Sequence, residues 1–145
     1  MAANIAPIYP NVPKINWGTV LTADATASKN HDGTTTNAVL IYTAGPNGSR
    51  IDEIKALPLG TNVASALRIF INNGSVSTTA VNNTLYADVA LPSTTISEVN
   101  GQSEVIVRQP NDNRSLVLPP GYKLYATIGT TVAAGWEVTA QGGDF

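Results

Sequence analysis

Proline, glycine and asparagine cut this chain into short runs in which apolar and polar residues alternate. LPPGYKLYATIG, Leu118 to Gly129, shows the pattern. Two prolines and a glycine stop and turn the chain. Tyr122, Leu124, Ala126 and Ile128 then fall on one side, with Lys123, Tyr125 and Thr127 on the other. A period of two places one set in a core and the other on the opposite face of a strand. Such runs recur roughly every 10–15 residues, and no stretch of about 11 residues keeps a helical period. The expected fold is therefore all-β: an antiparallel β-sandwich, jelly-roll-like, of about eight strands, with two sheets roughly 10 Å apart.

The strand candidates are Ile15 to Leu21, Asn37 to Thr43, the run SRIDEIKALPLG, Ala64 to Asn72, Thr84 to Leu91, Glu104 to Gln109, Ser115 to Leu118, the run ending at Ile128, and Trp136 to Ala140. NAVLIYT is apolar throughout, which predicts a strand buried on both faces. Ile51 and Ile54 are three apart, which breaks alternation and predicts a β-bulge. Pro58 should end that strand or lie at an edge. Leu67, Ile69 and Ile71 should face inward, with Arg68 and Phe70 opposite. Leu85, Ala87, Val89 and Leu91 should oppose Tyr86 and Asp88. STTISEVNGQS reads as a loop with room for one helical turn near Ser97, and ADATASKNHDGTTTN as a surface loop.

Pro7, Pro10 and Pro13 mark residues 1–14 as an extended N-terminal arm, with the sandwich occupying 15–145. Ile5, Ile8, Tyr9 and Val12 are its apolar studs. The arm either packs on its own domain or reaches a neighbouring subunit. Tyr86 and Tyr125, on the charged faces of their strands, join the studs as interface candidates, because Tyr and Trp are enriched at interface hot spots.

A chain of 145 residues fits one domain and needs no staples. It has no cysteine, which excludes disulfides and thiolate chemistry. Charged residues make up 12%, half the usual share of about 25%. Eight Lys and Arg stand against ten Asp and Glu, with no basic run, so nucleic acid is not an expected partner. No apolar run approaches the roughly 20 residues of a membrane helix, so no membrane partner is expected. MAANIAPIYPNVPK lacks the charged and apolar regions of a secretory signal, which suggests a soluble, unprocessed product. A weakly charged, Thr- and Asn-rich surface suits permanent protein contacts.

Catalytic patterns are sparse. His31, the single histidine, sits beside Asp32 with no nucleophile elbow and reads as a polar loop tip. Asp32 and Asp112 lack the D-x-D-x-D-G spacing of a calcium loop and read as turn residues. Asp52 and Glu53 are adjacent, hence on opposite strand faces, and Glu98, Glu104 and Glu137 cannot be paired into the acids of a glycosidase. AGPNGS and GTNVAS lack the phosphate-loop pattern. No enzyme activity, cofactor or metal is expected. The aromatic residues are scattered among strands, which favours packing over a sugar-stacking platform.

Two stretches carry a resemblance. TAGPNGSRIDEIKALPLGTNVASALRIFINNGS, Thr43 to Ser75, and LPPGYKLYATIGTTVAAGWEVTAQGGDF, Leu118 to Phe145, resemble segments of small virion proteins of tailed bacteriophages. The shared features are R-I-D-x-I after a turn, a G-T-N loop, an L-R-I-F-I-N-N-G strand, a proline-glycine corner and a G-G-D-aromatic end. The resemblance implies a structural virion protein of a double-stranded DNA phage. On that basis the chain is expected to be a capsid decoration or cement protein: a homotrimer, made in the host cytoplasm, on the capsid exterior against the major capsid protein. A tail, baseplate or fibre component and a receptor- or carbohydrate-binding module are the alternatives.

Overall fold

The structure is a computed structural model that describes residues 9–24, 31, 33–109 and 115–145. Within them lie nine strands: β1 (Val12–Val20), β2 (Val39–Thr43), β3 (Ser49–Pro58), β4 (Ser65–Asn72), β5 (Asn83–Leu91), β6 (Val105–Arg108), β7 (Leu116–Leu118), β8 (Lys123–Ile128) and β9 (Trp136–Asp144). All named pairings are antiparallel. One sheet has the order β1-β9-β3-β6, with β7 also pairing β3, and the other has the order β2-β8-β4-β5. With the short β7 set aside, the chain crosses between sheets in the order of a jelly roll. The fold matches the expectation from sequence.

The core lies between the sheets. Trp136, Tyr42, Ile51, Ile54, Leu67 and Leu124 are among its fully buried side chains. The spacing of Ile51 and Ile54 has the expected cause. Register against β9 shifts between Ile51 and Glu53, so Asp52 is an extra residue and both isoleucines face inward. Pro58 is the last residue of β3. The proline-glycine corner is a hydrogen-bonded turn: the Tyr122 N–H donates to the Pro119 carbonyl at 3.2 Å, and Gly121 takes φ 73°. Positive φ at the third turn position suits glycine.

Several expectations are corrected. β1 starts at Val12, so Val12, Pro13 and Lys14, expected in the arm, pair with Asp144, Gly143 and Gly142. Pro13 is tolerated because β1 is an edge strand. β2 is not buried on both faces. It too is an edge strand, and Leu40 is exposed while a register shift around Ile41 buries Ile41 and Tyr42 together. No helical turn forms at Ser97. Its hydroxyl instead accepts from the N–H groups of Val99 and Asn100, each at 3.2 Å, and a 3-10 turn occurs at Ala80–Asn82.

β9 runs four residues past its expected end. Gly142 and Gly143, expected beyond the strand, continue it between β1 and β3. A Cβ on Gly142 would lie 1.9 Å from the Arg50 carbonyl oxygen, so the backbones approach where only glycine fits.

The described residues between β1 and β2 are hydrogen-bonded to the end of β8, to the connection between β4 and β5, and to the start of β5. The Asp24 N–H donates to the Ile128 carbonyl at 2.9 Å. Its buried carboxylate accepts from the N–H groups of Thr36 and Asn37 at 2.6 and 2.8 Å. Thr35 donates to the Ser77 carbonyl at 2.7 Å, and Asn83 donates to the Gly33 carbonyl at 2.7 Å. Phe70 faces away from the core, as expected, yet is fully buried.

Candidate protein-binding surface

β1 has β9 on one side and no strand on the other among the described residues. Tyr9, Val12, Ile15 and Trp17 along it are 65, 58, 53 and 62% exposed. Alternation explains the last two: Ile15 and Trp17 share the face turned away from the core, opposite Gln141 and Thr139 of β9. The one charged residue of β1, Lys14, points inward and is neutralised there. Pro13 and the inward-turned Lys14 blunt the start of this edge, while Ile15 and Trp17 leave the stretch beyond them apolar.

Across the open side of the sandwich, β2 lies against β1. A Cβ on Gly18 would come 2.7 Å from Val39 Cγ1, so glycine lets the two edges close together. Ile15, Asn16, Trp17, Leu40, Ile41 and Tyr42 line a shallow cleft of about 290 Å³ along this seam. A second cleft, of about 690 Å³, is lined by Tyr9, Asn11, Asn47, Val117 and Phe145. The first cleft runs beside β1, the second is lined by Tyr9 and Asn11 just before it, and neither is lined by a charged side chain.

Of the interface candidates read from sequence, Ile5 and Ile8 lie outside the described residues. Tyr9 and Val12 are exposed on the surface just described. Tyr125 lies on the outer face as expected, opposite Phe70 and Leu40, but is half-buried. Tyr86 is a correction. The register between β4 and β5 passes from Ile69↔Ala87 to Phe70↔Leu85, leaving Tyr86 as a bulge residue that turns onto the core. Its hydroxyl accepts a 2.7 Å hydrogen bond from Arg108 of β6, which bridges the sheets at the side opposite β1. Ile15, Trp17 and Leu40 were not singled out as interface residues. An uncharged apolar strand following a proline-rich arm was the available signal.

The polar clusters tie elements together. Asp144 accepts from Lys14 Nζ at 3.2 Å, from the Tyr42 hydroxyl at 3.3 Å and from the Ser49 hydroxyl. Lys14 also donates to the Thr43 carbonyl at 2.6 Å and sits 4.9 Å from the Tyr42 ring centre. Burial would raise the Asp144 carboxyl, but hydrogen bonds from Ser49, Lys14 and the Gly45 N–H outweigh it and hold its pKa below the usual range. Burial is the main cause that pushes the Tyr42 hydroxyl up to about 12; the Ser49 bond opposes this, and the Asp144 charge adds to it. The network joins β1, β2, β3 and β9 at the end of the sandwich where the chain closes.

His31, read as a polar loop tip, is half-exposed and hydrogen-bonded. Its Nε2 accepts from Arg68 Nε at 3.0 Å and lies 3.3 Å from an Asp88 carboxylate oxygen. Asp32 and Asp112 lie outside the described residues. Asp52 pairs with Arg50 at 2.6 Å, and Glu53 and Glu104 flank Lys55 at 3.4 Å each. Glu137 accepts from Thr19 at 2.9 Å. Asp52 and Glu137 thus have separate partners, and Glu53 and Glu104 share Lys55.

The geometry thus describes a rigid β-sandwich that presents an apolar, weakly charged edge. No known family model, curated protein or solved structure matches the chain.

Proposed function

We propose that this chain is a structural virion protein that binds the outer surface of a phage capsid and stabilises it. The observation that carries the binding half of this reading is the row of exposed apolar side chains on and beside the edge strand β1. Tyr9, Val12, Ile15 and Trp17 are exposed along it, and its only charge is consumed internally. An exposed apolar edge is an aggregation hazard unless a partner covers it. The resemblance of Thr43–Ser75 and Leu118–Phe145 to tailed-phage virion proteins supplies the kind of partner, the major capsid protein. It also underlies the homotrimeric state and the virion location. The chemistry is burial: each Å² of apolar surface covered contributes about 25 cal/mol before the costs of association. Many copies on one shell multiply the effect.

The test mixes the purified protein with expanded, undecorated capsids. Co-sedimentation together with a rise in the temperature of capsid disruption is expected. Failure of both rejects the reading, and labelling confined to tails would move the protein to the tail.

A further inference from the structure

The chain contains three Asn-Gly pairs: Asn47-Gly48, Asn73-Gly74 and Asn100-Gly101. We infer that Asn100 is a site of spontaneous covalent modification, converting to aspartate and isoaspartate, while the other two pairs are shielded by their turns. The inference does not depend on the proposed function. In this reaction the deprotonated backbone nitrogen of the glycine attacks the asparagine Cγ. A nitrogen–carbon bond forms, the Cγ–NH₂ bond breaks, and the departing nitrogen takes a proton from water and leaves as ammonia. The resulting succinimide is hydrolysed by water at either carbonyl, which gives the two acids. Glycine favours the step because no side chain hinders the attacking nitrogen.

The attack needs a free nucleophile and a free side chain. At Gly48 the N–H donates to the Gly45 carbonyl at 3.0 Å, and the Asn47 amide donates to the Phe145 carbonyl at 3.3 Å. At Gly74 the N–H donates to Asn72 Oδ1 at 2.8 Å. The Asn73 amide is held on both sides, donating to Asn82 Oδ1 at 3.2 Å and accepting from the Ser75 N–H at 3.1 Å. A nitrogen whose proton is already given to an acceptor is harder to deprotonate, and a pinned amide cannot rotate towards it. Gly48 and Gly74 also take φ of 91° and 95°, conformations fixed by their turns.

Asn100 and Gly101 differ in each respect. Both are exposed, in the loop between β5 and β6. Among the described residues, neither the Asn100 side chain nor the Gly101 N–H has a hydrogen-bond partner. Among the described residues, and apart from its two chain neighbours, no atom lies within 4 Å of a Cβ built on Gly101. Only the Asn100 N–H is engaged, by the Ser97 hydroxyl, which leaves the reacting atoms untouched. The product adds a negative charge to a loop that already carries Glu98 and Glu104.

The experiment ages the purified full chain at mildly alkaline pH and follows the three Asn-Gly peptides by mass spectrometry. Isoaspartate is quantified by enzymatic methylation. Asn100 should convert at least about fivefold faster than Asn47 or Asn73, since the others must first break hydrogen bonds. In denaturant the three rates should converge, because the dipeptide is the same. Gly101→Ala should slow conversion at Asn100 on the order of tenfold and leave the other two unchanged. Equal rates in the folded protein, or faster conversion at Asn47 or Asn73, would overturn the inference. So would a rate order that survives unfolding.

Discussion

Lys14 and Asp144 are 130 residues apart in sequence and meet at 3.2 Å. Their ion pair fastens the first strand to the last, and through Tyr42 and Ser49 it reaches both sheets. Asp144→Ala leaves three donors without their acceptor in a largely buried site. A loss of about 2–4 kcal/mol is expected in urea unfolding, whereas Asp144→Asn should retain part of the network and lose less.

The same cluster sets a pH dependence at each extreme. The Asp144 carboxyl is lowered in the folded state, so its contribution is present above the unfolded value of about 3.9 and is lost as pH falls through the folded one. The Tyr42 hydroxyl is raised to about 12. Its contribution is complete below the unfolded value of about 10 and fades as pH rises towards 12, by about 2–3 kcal/mol in total. Stability measured against pH should therefore fall at both ends. Tyr42→Phe should flatten the alkaline limb and Asp144→Asn the acid limb.

Asn62 organises the opposite end of the sandwich. Its Oδ1 accepts from the N–H groups of Ala134 and Gly135 at 2.9 and 3.0 Å, and its Nδ2 donates to the Gly135 carbonyl at 3.0 Å. Asn62→Ala orphans these groups, and thermal unfolding should show a loss of about 2–4 kcal/mol.

Tyr86→Phe removes the acceptor for a buried arginine. A cost of about 1.5–3 kcal/mol is expected by chemical denaturation. Tyr125→Phe, which removes no hydrogen bond seen in the structure, should change stability by less than about 0.5 kcal/mol.

Ile15→Lys with Trp17→Lys tests the edge. Both side chains are exposed, so folding stability should stay within about 0.5 kcal/mol of the parent. Under the proposed function, capsid binding should weaken at least about thirtyfold, the loss of a single 2 kcal/mol hot spot. Unchanged binding, measured by co-sedimentation titration, would remove β1 from the interface. Truncation is a poorer test if carried through Lys14, because that removes the start of the sheet and the partner of Asp144.

Much of the fold was legible because strand signals are local. Alternation marked Leu124, Ala126 and Ile128 as core, the spacing of Ile51 and Ile54 marked the bulge, and the corner at Pro119 to Gly121 carried its own turn chemistry. The interface candidates fared less well. Tyr86 was assigned a face by counting in twos, and one bulge in the pairing with β4 reverses that count. Leu40 looked buried because its neighbours are apolar, but the exposure of a residue depends on whether its strand lies at an edge.

The amino-acid sequence by itself determined the all-β class, most strand positions, the absence of cysteine chemistry and the low surface charge. These follow from side-chain period, backbone restrictions of proline and glycine, and composition, all of which act within a few residues. Only the tertiary structure decided which strands became edges, that a Cβ on Gly142 would lie 1.9 Å from the Arg50 carbonyl oxygen, and that Lys14 spends its charge on Asp144. Those outcomes depend on partners far apart in the chain. Closure of the sheets brings such partners together, and no local pattern records it.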